Sequence, residues 1–232
     1  LRRKSIRTQN DEKTERTTKM STGQLDKLIE NLAGELEPVK RLRHPLLRIA
    51  PWIALTVLYI LAVDYFYLEF RPDLSDKTSD PIFIFEISLA LAAGLSAAIA
   101  TAWLCVPDAR GQSWIMAVPI TLSLTFLSWS FIRGANEGLE PAHMHLNHCF
   151  HDGIVLIAIP AAVIMFLSRC GATTRPVLMG IMNAIAVGAL GYIGLRLSCQ
   201  MDNIAHGCFY HIAPFILGGG VVGLLARRIY RW

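Results

Sequence analysis

The chain is 232 residues long, 53% hydrophobic and only 17% charged, with a mean hydropathy of +0.41 and a formal net charge of +4. Its apolar residues fall in long uninterrupted runs, and a hydrocarbon core about 30 Å thick is crossed by roughly 20 apolar residues in a helix, so the composition is that of an all-α, polytopic integral membrane protein. Alternation of polar and apolar residues is absent, which argues against a membrane β-barrel.

Residues 1–19, "LRRKSIRTQNDEKTERTTK", are too rich in charge, Thr and Gln to bury enough apolar surface to offset the entropy of ordering. The chain opens with Leu1 and its patterned part with Met20, so this stretch reads as a disordered tail or an early start, and no function is assigned to it. The pattern then changes. Leu25, Leu28, Ile29, Leu32 and Leu36 recur at helical spacing among Asp26, Lys27, Glu30 and Glu35, which predicts an amphipathic helix. Ser21 and Gln24 have capping-box spacing at its start, and Pro38 stops it. A helix this short is marginal alone in water and needs a surface for its leucine stripe: a partner protein, the chain's own membrane face, or lipid. Few basic residues lie on its polar face, which weakens the lipid alternative.

Six spans follow, at about 46–67, 81–106, 114–132, 150–168, 177–198 and 208–226. The first apolar run is too long for a signal peptide and lacks a small-residue cleavage site, so it reads as a retained anchor. Lys40, Arg41, Arg43, Arg48, Arg110, Arg169, Arg175, Arg227, Arg228 and Arg231 all fall on one side of these spans. Only Arg71, Lys77, Arg133 and Arg196 fall on the other. By the positive-inside rule both termini are expected in the cytoplasm. Small-residue stripes at Ala90, Gly94 and Ala98, at Ala184 and Gly188, and at Gly219 and Gly223 are read as internal helix packing.

With that topology, six of the seven histidines and three of the five cysteines face outward. "HMHLNHCFHD" supplies His143, His145, His148, Cys149 and His151, and the last outward loop supplies Cys199, His206, Cys208 and His211. Cys105 and Cys170 fall near the inner side, where thiols stay reduced. Cys149 and Cys199 read as a redox pair in an oxidising compartment. Alternatively, His148, Cys149, His151, Cys199, His206, Cys208 and His211 supply a soft Cys/His metal site suited to copper or zinc rather than magnesium or calcium. The spacing matches no standard zinc motif, and His143, His145 or His206 taken singly also reads as an interfacial polar residue.

Asp64, Glu86 and Arg196 are ionisable groups near the outer ends of their spans. Asp64 is expected to reach the interface, and Glu86, which lies deeper, to pair with Arg196. No G-x-S-x-G, P-loop, H-E-x-x-H or dinucleotide fingerprint is present, so nothing nominates an enzyme.

Taken in order, several segments carry a family resemblance. They are "LDKLIENLAGELEPV" before six spans, "RPDL" at 71–74, a Cys opening span four, "RPVLMG" at 175–180, "LSCQMDNIAHGCFYHIAPFILGGGVVG" at 197–223, and a terminal "RRIYRW". From Met20 to Trp232 the chain resembles the NrsF-type membrane anti-sigma factors, bacterial inner-membrane regulators that hold an extracytoplasmic-function sigma factor inactive. The resemblance implies that Cys149 and Cys199 are the family's two functional outward cysteines and that they read heavy-metal ions or an oxidant. It implies an extracytoplasmic-function sigma factor as partner, no obligatory cofactor, copper or zinc as a candidate signal, and no direct contact with nucleic acid.

The expected organisation is then a sigma-binding segment over residues 20–44 and a six-helix sensor over 45–232. Leu25, Leu28, Ile29, Leu32 and Leu36 form the anchor face. The rival reading is a small metal-binding membrane protein or permease, for which polar groups at mid-membrane depth are expected; here most lie toward the outer ends.

Overall fold

The computed structural model describes residues 22–34, 44–106, 113–138, 148–171 and 173–230, and these are helical with no strand among them. Residues 1–42 and 43–232 form two separate units. In the first, helix α1 spans Thr22–Gly34. Leu25, Leu28, Ile29 and Leu32 all stand exposed on it, at 46–56%. Leu36, His143 and His145 lie outside the described residues.

The second unit carries six helices long and apolar enough to cross a membrane. The first is α2 (Pro45–Val63), which runs into a π-helical turn at Asp64–Leu68. After a short α3 (Leu74–Lys77) come α4 (Pro81–Leu104), α5 (Ser113–Glu137), α6 (Cys149–Arg169) and α7 (Pro176–Ser198). The last span starts as α8 (Ile204–His206), passes through a π-helical stretch at Gly207–Ile212 and ends as α9 (Ala213–Ile229).

Local sequence explains where these helices begin. Proline occupies the first turn of α2, α4, α7 and α9, where its missing N–H is not needed and its fixed φ suits a helix. Asp80 accepts a hydrogen bond from the Ile82 N–H at 2.9 Å, and Asn203 one from the Ala205 N–H at 2.7 Å; these caps start α4 and α8. Helix α5 extends five residues past the apolar run that predicted it. Arg133 and Glu137, one turn apart, hold that extension by a two-pronged pair, Nε to Oε1 at 2.9 Å and Nη2 to Oε2 at 3.1 Å.

Helix α7 is the most enclosed span, packed against α2, α4, α6 and α9. Its small residues make that possible. A methyl group on Gly191 would collide with Cγ2 of Ile157, and one on Gly194 would lie 3.0 Å from both Leu156 methyl carbons. Gly94 of α4 meets Leu190 and Ala189, Gly188 meets Phe215, and Gly219 meets Ala184, so these stripes serve internal packing as expected, whereas Gly223 borders open space. Trp52 and Tyr59 of α2 donate hydrogen bonds to the Pro160 and Val155 carbonyls of α6, at 3.0 and 2.7 Å.

Two polar constellations occupy opposite ends of the bundle. Far from the cysteine pair, Asn183 of α7 ties four elements together. It accepts from Thr101 Oγ1 at 2.9 Å and donates to Ser168 Oγ at 3.0 Å and to Tyr230 Oη at 2.8 Å. The other constellation surrounds the cysteines.

Candidate functional site: the thiol and imidazole cluster and its ionic frame

Cys149 opens α6 and Cys199 follows the last residue of α7, and their sulfurs lie 3.6 Å apart with both thiols free. Cys199 is also 3.5 Å from Nε2 of His206. His211 completes the group: one ligand atom from each of Cys149, Cys199, His206 and His211 lies within 4.8 Å of every other. Three of the four are buried and Cys149 is half-buried. The thiol of Cys199, which lies beyond the end of α7, loses its proton readily. The hydrogen bond from Cys149 holds it below the usual thiol range against the opposing effect of burial, and His206 and His211 add to the same effect.

The backbone explains why His206 and His211 meet. Five residues apart on an α-helix, at 3.6 residues per turn, they would point away from each other. The π-helical stretch between them, with its i to i+5 hydrogen bonding, brings both to one side, and their rings stand edge to face at 5.1 Å. His206 is further fixed by stacking on Tyr210 at 4.9 Å.

The remaining residues of the expected metal set stay outside this group. His148 and His151 are exposed on the first turn of α6, where His151 is 3.7 Å from Asp152, and Cys208 is half-buried. Residues on a helix turn by about 100° each, so a first turn that sends Cys149 inward sends His151 to the other side.

An ionic frame encloses the cluster. Glu86 of α4 pairs with Arg133 of α5 and lies 3.5 Å from Arg196 of α7, so the expected Glu86–Arg196 contact is present and Arg133 joins it. The Tyr192 hydroxyl donates to Glu86 at 3.3 Å, while its ring contacts Phe126 and His211. Three residues beyond Cys199, Asp202 takes hydrogen bonds or ion pairs from Arg71 at 2.9 Å, Lys77 at 2.8 Å and Arg196 at 3.1 Å. The guanidinium of Arg71 is fully buried, also binds Asp73 in two-pronged fashion, and shares the ring of Phe83 with Arg196. Partial burial raises the pKa of Asp202, but hydrogen bonds from Arg71 and Lys77 and the charges of Arg196 and Arg71 outweigh it and hold the carboxyl well below the usual range. Sequence reading missed Asp202, although "RPDL" and "CQMDN" put an arginine and an acid on neighbouring loops.

Asp64 departs from expectation. It does not reach an interface; its side chain is wholly buried at the π-turn ending α2, and neither carboxylate oxygen has a hydrogen-bond partner.

The described residues thus form a bundle of six helices long and apolar enough to cross a membrane, with a pair of facing thiols at one end, and a separate amphipathic helix precedes them in the sequence. The family of negative regulators of sigma F (NrsF) matches residues 32–232, and the chain belongs to that family. It is accordingly a negative regulator of a sigma factor. No curated protein and no solved structure matches the chain.

Proposed function

We propose that the protein is an anti-sigma factor of the bacterial inner membrane that holds an extracytoplasmic-function sigma factor through residues 20–44 and releases it when Cys149 and Cys199 register a thiol-directed stress. The asymmetry of Arg and Lys along the chain supports cytoplasmic termini and an outward cysteine end. Leu25, Leu28, Ile29 and Leu32, exposed along one helix, and Leu36 beyond it supply the apolar anchor a sigma factor would cover.

The observation that carries the sensing half of the reading is the 3.6 Å approach of two sulfurs that belong to different spans, 50 residues apart in the chain. A soft metal ion such as copper or zinc bridging them, or an oxidant joining them, ties the start of α6 to the end of α7. Arg196, one turn before Cys199, then passes any displacement through Glu86 to α4 and through Arg133 to α5. A two-state bundle biased by about 3 kcal/mol changes the occupancy of the sigma-holding state more than a hundredfold.

The test is capture of the coexpressed sigma factor by the membrane-inserted protein, with and without Cu or Zn, in the wild type and in a Cys149→Ser, Cys199→Ser double variant. Release by metal in the wild type and retention in the double variant are expected. Leu28→Asp with Leu32→Asp should abolish capture while leaving membrane insertion intact. Absence of capture under every condition would overturn the anti-sigma reading.

A further inference from the structure

We infer that Cys149, Cys199, His206 and His211 constitute a single closed four-ligand site for a d10 cation of soft or borderline character, Zn2+, Cd2+ or Cu+, and that the π-helical stretch of the last span is what completes it. The inference deepens the sensor reading and rests on the same thiol pair, but adds the two histidines, the coordination number and the ion class.

Distances carry the first part. Tetrahedral coordination with metal–sulfur bonds of about 2.3 Å and metal–nitrogen bonds of about 2.0 Å sets two sulfurs about 3.8 Å apart and a sulfur and nitrogen about 3.5 Å apart. The Cys149–Cys199 and Cys199–His206 separations are 3.6 and 3.5 Å, the first about 0.2 Å short of its expected value and the second equal to it. The widest separation in the set is still within 4.8 Å.

His211 carries the second part. Its side chain is wholly buried, its ring faces Cys199, and neither ring nitrogen makes a hydrogen bond of good geometry. A buried imidazole left in that condition is costly because its desolvated ring nitrogens have nothing to replace water, and a bound cation removes that cost. The third part is the donor set. Two thiolates and two imidazoles, with no carboxylate among them, favour a d10 cation over Mg2+ or Ca2+. All four positions are filled by protein, which makes the site one that holds and reports an ion rather than one that activates water on it.

The backbone carries the last part. A π-turn is a one-residue insertion in a helix that is otherwise continuous from Ile204 to Ile229. Wound as an α-helix, the same residues would turn His211 by about 140° from His206 and leave the set with three members. The bound ion would link the start of α6, the end of α7 and the start of the last span, and the end of α7 is the one of these that Arg196 also ties to Glu86 and Asp202.

The experiment is a Cd2+ titration of the purified full-length protein in detergent, followed by thiolate-to-metal charge-transfer absorption, with Co2+ as a second probe whose visible bands report four-coordination. One equivalent is expected to bind, with Mg2+ and Ca2+ failing to compete. His206→Ala and His211→Ala should each weaken binding by more than about a hundredfold, the upper effect of losing a mere supporting contact to a ligand. Wild-type affinity in both histidine variants would overturn the site. Should those variants fail to fold, X-ray absorption of the Zn2+-loaded wild type decides: two sulfur and two nitrogen neighbours are expected, and a sulfur-only or oxygen-rich shell would overturn it. Neither readout involves the sigma factor, so loss of the metal site and loss of the sensor reading are separable results.

Discussion

Arg71 and Asp202 meet through two parallel hydrogen bonds, at 3.1 and 2.9 Å, and so fasten the loop after the first span to the loop that carries Cys199. Asp202→Ala would leave the fully buried Arg71 guanidinium with Asp73 alone and loosen Lys77 and Arg196 together. Because the Asp202 side chain is itself about a third exposed, at 37%, the expected loss is about 1–3 kcal/mol rather than the full cost of breaking an enclosed pair. Thermal denaturation in detergent, read by size-exclusion chromatography, checks it.

The same carboxyl sets a pH dependence. Its folded pKa lies below the unfolded one, so its contribution is fully present above the ordinary carboxylate pKa of about 3.9 and is lost as pH falls through the depressed folded value. Thermal stability of the wild type should therefore show no loss from this group between neutral pH and about pH 4, then decline below it. In Asp202→Asn the acid-side decline should be shallower, starting from a lower plateau. An equal decline in both proteins would assign the acid sensitivity to other groups.

A disulfide needs its sulfurs at about 2.0 Å, so the Cys149–Cys199 pair must close by about 1.5 Å. Diamide treatment of membranes should join these two within the chain, as seen by blocked maleimide labelling at both. Cys208→Ser should leave the joining unchanged. Asp202→Ala, by freeing the loop, should make it slower or incomplete.

Helix α7 tolerates no added bulk on its crowded face. At Gly191 even a methyl group would collide with Ile157, and Gly191→Val should destabilise the bundle by about 1–3 kcal/mol, lowering yield and melting temperature in detergent. Gly223→Ala, on the same kind of stripe but facing open space, should be silent in the same assay.

Asn183 offers a probe of the opposite end. Asn183→Leu removes hydrogen bonds to Thr101, Ser168 and Tyr230 at once. Interhelical hydrogen bonds in membranes average about 0.6 kcal/mol each, so a loss of about 1–2 kcal/mol is expected, with the Cd2+ affinity of the distant cluster unchanged.

Much of this fold could be read before any coordinates. The apolar runs gave all six spans to within a few residues at most ends, because a hydrocarbon core imposes a length that composition alone reveals. The exception, α5, ended later because Arg133 and Glu137 bond each other, and hydropathy registers only their charge. Glu86 and Arg196 were legible as partners because each is costly alone in an apolar run. Arg133 had been read only as a marker of sidedness. The density of "HMHLNHCFHD" drew several of its histidines into one expected ligand set, but nearness in sequence does not survive helical rotation, and Cys149 alone of that run joins the cluster among the described residues. The π-turn that pairs His206 with His211 has no compositional signature, since it is a shift in backbone hydrogen bonding, so the i, i+5 spacing looked like no motif at all.

The span of 131 residues between Arg71 and Asp202 also orders the assembly of the chain. Translation delivers the arginine with the first hairpin and its acid only with the last. Until then the guanidinium has Asp73 beside it but lacks its long-range partner, and the loop it anchors has nothing to dock against. The junction therefore forms only once the sixth span's leading loop has been made: a chain that stalls after four spans leaves Arg71 without Asp202, and one that is made in full pairs them.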